Sequence, residues 1–519
     1  MSKRLLRSGL VVSAMTLVSR VLGLVRDVVV ANLMGAGAAA DVFFFANKIP
    51  NFLRRLFAEG AFSQAFVPVL TEYHATGDMD KTRQLIAKAS GTLGVLVSVV
   101  TLVGVIGSPL VAALFGTGWF LDWVHGGPSA EKFELASLLL KITFPYLWFI
   151  TFVALSGAIL NTIGKFAVSS FTPAFLNVAI IACAIYVSPR LEQPEIGLAL
   201  GVFIGGLVQF AFQIPFLMRE KMLVRPQWGW NDPGVKKIRT LMLPAMFGVS
   251  VSQINLLFDT FIASFLATGS ISWLYYSDRL LEFPLGLFGI AIATVILPAL
   301  SRKHVDKSPE QFAATMDWGV RMVLLLGIPA MAGLMFLAKP MLMVLFMRGE
   351  FNVADVNAAS LSLVAYGAGL LNFMLIKVLA PGYFARQDTK TPVKFGIVAM
   401  VTNMVFNAIF AWFFGYVGLA MATSLSALIN AGLLYRGLHK QGVYRISRET
   451  VVFFVKLLLA TACMLFAIDR LMPGFDNWLA TSTLHRAWWL CGLIGAGAVV
   501  YLFVLVTTGV RPRHIKVRA

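Results

Sequence analysis

The sequence predicts an all-α polytopic membrane protein of about 14 transmembrane helices: two six-helix lobes related as a parallel repeat, then two extra C-terminal helices. Three observations carry this. Of 519 residues, 58% are hydrophobic and only 13% charged, too apolar for a chain that must stay in water. Apolar runs of the roughly 20 residues that a bilayer crossing requires occupy nearly the whole length. Lysine and arginine gather in every second connection between those runs.

Span 1, Ser8–Met34, follows Lys3-Arg4-Leu5-Leu6-Arg7, which resembles the start of a secretory leader, and Ala38-Ala39-Ala40 offers small residues for cleavage. Arg20, Arg26 and Asp27 interrupt the apolar region, so a retained first helix is predicted. Span 2, Ala39–Leu70, is long for one crossing and contains Pro50; a bend there, or a wide excursion into a cavity, is expected. Spans 3 to 6 (Ala87–Phe115, Leu135–Leu160, Phe166–Val187 and Ile196–Met218) are apolar runs of crossing length. Spans 7 and 8, Ile238–Leu266 and Ile271–Leu300, each carry internal charge. Spans 9 to 12 are Trp318–Leu345, Ala358–Phe384, Val393–Phe414 and Val417–Leu438. Spans 13 and 14, Val451–Leu471 and Ala487–Thr507, hold few charges and read as a lipid-facing appendix.

With the N-terminus in the cytoplasm, the even-to-odd loops are basic. Examples are Lys81, Arg83 and Lys88, then Arg302, Lys303 and Lys307, and the tail residues Arg511, Arg513, Lys516 and Arg518. The opposite loops are short or mixed, such as Arg190 with Glu192 and Glu195. Both termini are therefore expected in the cytoplasm. The net charge of +18 is largely topological and calls for no nucleic-acid partner. A weak repeat supports two halves. Phe66-Val67-Pro68-Val69-Leu70 matches Ile296-Leu297-Pro298-Ala299-Leu300; Thr172-Pro173 matches Thr391-Pro392; Gly35-Ala36-Gly37 matches Ala267-Thr268-Gly269. The expected division is an N-lobe over residues 1–220, a C-lobe over 221–445, and an appendix with a basic tail over 446–519.

Function is read from charge inside the spans. An ionisable group near the bilayer centre costs roughly 2.5–3.5 kcal/mol even on lenient scales, so such groups normally face a wet cavity. Arg20 and Arg26 flank Gly23; the bland alternatives are snorkelling for Arg20 and a local neutralised pair for Arg26-Asp27. In Arg54-Arg55-Leu56-Phe57-Ala58-Glu59, Arg55 and Glu59 lie one turn apart and are expected to pair, which leaves Arg54 for cargo or gating. Asp41 sits near the outer end of span 2. Asp278, Arg279 and Glu282 form a cluster in span 8, and Lys377 is a further cation in span 10, with pairing to a span 8 acid as its plainer reading. Several arginines favour an anion, since guanidinium is always charged and grips phosphate oxygens two at a time. Asp259, with Asn403, Asn407 and Thr423, offers oxygens for Na⁺ or a proton site, the plainer reading being asparagines that hydrogen-bond between helices.

No Walker loop, metal-spaced His/Cys cluster or aspartate-rich pyrophosphate motif is present, so no metal, no cofactor and no enzymatic activity is expected. Cys183, Cys463 and Cys491 lie in separate apolar runs and read as buried thiols.

Ser19-Arg20-Val21-Leu22-Gly23-Leu24-Val25-Arg26-Asp27, Asn51 through Pro68, Tyr275 through Pro284, and Lys377 through Pro392 together closely resemble the MurJ (MviN) family. The resemblance covers essentially the whole chain. It implies a flippase for lipid II, the undecaprenyl-pyrophosphate-linked peptidoglycan precursor, in the bacterial cytoplasmic (inner) membrane, and membership of the MOP exporter superfamily with the MATE drug exporters. It further implies two six-helix lobes around a cationic cavity, a lipid-tail groove at spans 13 and 14, and functional roles for Arg20, Arg26, Asp41, Arg54, Arg55, Glu59, Arg279 and Lys377. The Asp259 site varies within the family.

The reading is alternating access, with Arg20, Arg26, Arg54, Arg279 and Lys377 on the pyrophosphate. Salt bridges among Asp41, Arg55, Glu59, Asp278 and Glu282 and the arginines would serve as gates. Lipid II, membrane lipids and cell-wall synthesis machinery are the expected partners. Two alternatives are a MATE-like small-molecule exporter, disfavoured by an arginine-lined cavity, and a membrane transferase acting on polyprenyl-phosphate, disfavoured by the lack of a placed metal and carboxylate.

Overall fold

The computed structural model describes residues 3–56 and 62–516. Among the described residues every regular element is helical. Among the described residues eleven helices are long and apolar enough to cross a membrane, or 12 when Pro233–Ala263, bent by 44° between Ser250 and Gln253, counts as one. The expected spans 2 and 8 are not among them. Span 2 is Ala38–Arg54 and Ser63–Ala75, of 17 and 13 residues. Span 8 is Ser270–Pro284 and Ile290–Val305, of 15 and 16 residues. Each half is shorter than the roughly 20 residues a crossing needs. The backbone widens to π geometry at Arg55 and Leu56, and over Leu285–Gly289 between the two helices of span 8. Such wide turns shift the helical register and often mark working sites.

The chain forms two compact units, Met1–Ser272 with Arg348–Phe351, and Trp273–Met347 with Asn352–Ala519. Within the first, the helix is continuous through Pro50 and ends at Arg54. Proline at position 50 cannot donate to the carbonyl of Ala46 one turn back. The Thr143 hydroxyl donates to that oxygen instead, at 3.2 Å, so the helix continues without an orphaned acceptor. The end of the first helix is equally specific. Gly35 has φ +61°, and a Cβ there would collide with the Glu350 carbonyl. Only glycine allows the approach in which the Glu350 amide donates to Asn32 O at 3.0 Å.

Part of the element order recurs along the chain. Met79–Ile106 leads through one capping residue into the short helix Ser108–Phe115; Pro309–Phe336 leads likewise into Ala338–Phe346. The next span is broken in both, at Phe144-Pro145 and at Ala368-Gly369. Pro68 and Pro298 sit equally far from the C-terminal ends of their helices, and Gly35 and Gly269 both take positive φ.

The two appended helices, Arg448–Leu471 and Thr483–Thr507, pack through Leu457, Ala460, Met464 and Ile468 onto Leu493, Gly497 and Tyr501. A Cβ at Gly497 would touch Ile468 Cδ1 at 2.8 Å, so a larger residue would push them apart. Their outer faces are apolar and exposed, as at Val455, Phe466 and Phe503, which suits lipid contact. Cys491, expected buried, lies on such an exposed face, whereas Cys183 is buried.

Polar contacts also fix the appendix to Pro309–Phe336. Pro329 frees the Leu325 carbonyl, and Tyr501 Oη donates to it at 2.7 Å. Asp317 accepts from Tyr444 Oη, Ser447 Oγ and Thr450 Oγ1, each at 2.8 Å, with Arg321 Nε 3.7 Å away. Burial, with the Asp317 carboxylate beside it, pushes the Tyr444 phenol well above its ordinary value, so it remains a donor. Hydrogen bonds to a charged acceptor are worth about 1.5–3 kcal/mol each. Asp317→Ala is therefore expected to cost about 3 kcal/mol, after some donors re-pair. Amide exchange over residues 441–450 should rise at least about tenfold; unchanged exchange there would show the hub to be incidental.

Candidate functional site

The intramembrane charges differ sharply in how the fold treats them. In the first unit Arg20 is exposed near the middle of its span, with no ion pair among the described residues. One and a half turns on, Arg26 is held. Its Nε and Nη2 donate to Asp27 Oδ1 at 3.3 and 3.2 Å, and Nη1 donates to Asn177 Oδ1 at 2.7 Å. Asp27 is buried, and Asn177 Nδ2 in turn donates to Ser19 O at 3.3 Å. The local pair is thus formed and clamped by a second helix.

Arg54 closes its helix half-buried, directly before the π turn. Arg55 is exposed and donates to Gln253 Oε1 at 3.1 Å, beside the bend of Pro233–Ala263. Its expected partner Glu59 lies outside the described residues.

Asp41 is 2% exposed and accepts three hydrogen bonds, from Gly269 N at 2.6 Å, Ser272 N at 2.9 Å and Ser272 Oγ at 2.7 Å. These are donors at the start of helix Ser270–Pro284, whose first amides have no partner within the helix. A carboxylate there also meets the positive end of the helix dipole. Lys132 Nζ stands 4.0 Å from Asp41 Oδ2, donates to Thr268 Oγ1 at 2.8 Å, and lies 5.6 Å from the Trp119 ring centre. Sequence reading missed Lys132: in Glu131-Lys132-Phe133-Glu134 it looks like one more interfacial charge at a span end. Nothing local marks it as buried.

In the second unit Arg279 Nη1 donates to Glu282 Oε2 at 2.9 Å, one turn away, both partly exposed. Asp278 is half-buried on the same helix. Lys377 is exposed, with no ion pair among the described residues, and a Cβ on Gly289 of the π turn would come within 4.0 Å of its Cγ. The span 8 break and Lys377 are therefore neighbours. Of the possible cation site, Asp259 belongs to the first unit and Asn403, Asn407 and Thr423 to the second. Asn403 is buried with Oδ1 unpaired among the described residues, whereas Thr423 Oγ1 donates to Leu419 O in its own helix. No group of three or more His, Cys, Asp or Glu fit to hold a metal occurs among the described residues.

Residues 30–487 match the family described as "Lipid II flippase MurJ". The chain belongs to the MurJ family. A curated relative from Vibrio cholerae, "Probable lipid II flippase MurJ", is 74% identical over 99% of this chain and 98% of its own. The "Lipid II flippase MurJ" of Burkholderia cenocepacia is 38% identical over 99% of both chains. A solved MurJ in an inward closed conformation aligns with TM-score 0.80 and 28% identity, covering 95% of this chain and 98% of that one. A MATE family multidrug transporter of the MOP superfamily shares the fold, with TM-score 0.67 at 13% identity over 84% and 98% of the two chains. MurJ membership thus agrees with the two-unit helical architecture and the interrupted, charge-bearing helices described above.

Proposed function

We propose that this protein flips lipid II, carrying the undecaprenyl-pyrophosphate-linked peptidoglycan precursor from the inner to the outer leaflet of the bacterial cytoplasmic membrane. The family match over residues 30–487 carries this reading. Both termini lie in the cytoplasm, and the transport unit is the N-lobe 1–220 working against the C-lobe 221–445. Arg20, Arg26 and Arg54 from one lobe, and Arg279 and Lys377 from the other, bind the pyrophosphate by charge-assisted hydrogen bonds. The exposure of Arg20 and Lys377 without ion pairs among the described residues supports that role, because an unpaired cation facing acyl chains would be costly. Asp41, Arg55, Glu59, Asp278 and Glu282 serve as gating partners. The helices of residues 446–519 guide the polyprenyl tail, for which their apolar outer faces are suited. No catalytic step is involved; cell-wall synthesis enzymes would use the delivered precursor.

Acute depletion in cells tests this directly. Lipid II accessible from the outer face should fall several-fold while total lipid II is maintained; unchanged sidedness would overturn the reading. Reconstituted vesicles separate the driving force. One charge moved across 100 mV is worth about 2.3 kcal/mol, so a net-cationic carrier should flip faster with a potential that resets it. If Asp259, Asn403, Asn407 and Thr423 hold Na⁺ or a proton, Asp259→Asn should abolish dependence on that ion. A rate indifferent to potential, Na⁺ and pH would remove the coupling proposal and leave the flippase reading intact.

A further inference from the structure

The linker between Pro194–Arg219 and Pro233–Ala263 is an extended strap laid along helix Met79–Ile106. Gln227 N donates to Ala87 O at 2.9 Å and Gly229 N donates to Thr92 Oγ1 at 3.0 Å. The fit depends on a missing side chain: a Cβ on Gly91 would collide with the Gln227 backbone. The strap presents Trp228 and Trp230, stacked with ring centres 6.1 Å apart and an interplanar angle of 9°, both exposed. Paired tryptophans at the end of membrane helices sit at headgroup depth.

Behind them lies a slot of about 370 Å³ between Met79–Ile106 and Pro233–Ala263. Its wall is almost wholly apolar, including Leu93, Val97, Ile238 and Met242, and its rim at Leu96 and Leu243 is exposed. Among the described residues Arg239 is the one charged side chain in that wall. Its guanidinium stacks on Trp230, 4.0 Å from the ring centre, and its Nε is buried with no hydrogen-bond partner among the described residues. A desolvated guanidinium donor without an acceptor is costly, and a phosphate oxygen would relieve it.

From this arrangement we infer that the slot binds an anionic glycerophospholipid of the adjoining leaflet, with one acyl chain along Leu93, Val97 and Met246 and its phosphate on Arg239. An apolar recess with a single cation at its Trp-marked mouth has the polarity of such a lipid: chain inward, charge at the interface. Lys236, exposed one turn before Arg239, adds positive potential outside the slot without lining it. The site needs neither lipid II nor transport.

Native mass spectrometry of the purified full chain, titrated with phosphatidylglycerol or phosphatidylcholine, tests it. Phosphatidylglycerol should be retained as one tight molecule per chain, about tenfold more tightly than phosphatidylcholine. Arg239→Gln should weaken retention about tenfold, and Leu96→Trp, which fills the slot without touching the charge, should weaken it similarly. Lys236→Gln should leave it within about twofold of the original. Equal retention of both lipids, or equal retention by the unaltered protein and both slot variants, would overturn the site. Displacement of phosphatidylglycerol by added lipid II would also overturn it, by assigning the slot to the cargo. No flipping is measured, so this result and that of the depletion experiment stand apart.

Discussion

Asp41→Ala should lower the unfolding free energy by about 4 kcal/mol, the largest stability loss expected from any single carboxylate here. The substitution removes the acceptor of three hydrogen bonds and leaves Gly269 N and Ser272 N orphaned at a buried helix start. It also strands Lys132, itself buried, whose ammonium keeps its hydrogen bond to Thr268 but loses its acid. Breaking a buried pair from one side typically costs about 3–5 kcal/mol, mostly through the uncompensated charge left behind. Removing that charge should therefore recover part of the loss. Asp41→Ala with Lys132→Met should be about 1–2 kcal/mol more stable than Asp41→Ala alone. Reversible unfolding in mixed detergent micelles would measure both. A loss under about 1 kcal/mol, or no recovery in the double variant, would show that the carboxylate is not what holds this helix start.

Arg20→Gln combined with Lys377→Gln should reduce lipid II binding by about 100-fold with helix content unchanged. Both are intramembrane cations that are exposed and form no ion pair among the described residues, so their removal leaves no buried acid stranded. Each charge-assisted contact to a phosphate is worth about 1.5–3 kcal/mol, and every 1.4 kcal/mol is tenfold in affinity. Arg20→Lys should fall between, because ammonium keeps the charge and loses the two-pronged geometry. Lipid II titration by native mass spectrometry would read all three. Affinity within about threefold of the original in the double variant would refute the assignment of these side chains to the pyrophosphate.

The charged residues show where sequence reading reached and where it stopped. Arg26-Asp27 was legible as a pair because the residues are adjacent; that Asn177 clamps it was not, since the amide comes from 151 positions away. Asp41 was legible as unusual, yet its partners Gly269 and Ser272 lie 228 and 231 positions along the chain. Pro50 signalled a bend or an excursion; the helix is continuous through it, and Thr143 satisfies Ala46 O across a helix contact. The α-helix ends at Arg54 and passes into π geometry at Arg55, where no proline or glycine announces it.

By itself the sequence determined the membrane class, the all-helical architecture and the family. These follow from local rules: lipid admits only backbone that satisfies its own hydrogen bonds, and crossing length is set by bilayer thickness. Tertiary structure alone decided which intramembrane charges are neutralised and which remain open, because neutralisation depends on a partner within a few ångströms rather than on neighbours in sequence. It also decided where π geometry divides helix 8 and where an unpaired guanidinium meets an apolar slot. Those are outcomes of helices packing side by side, and a linear pattern carries no measure of that distance.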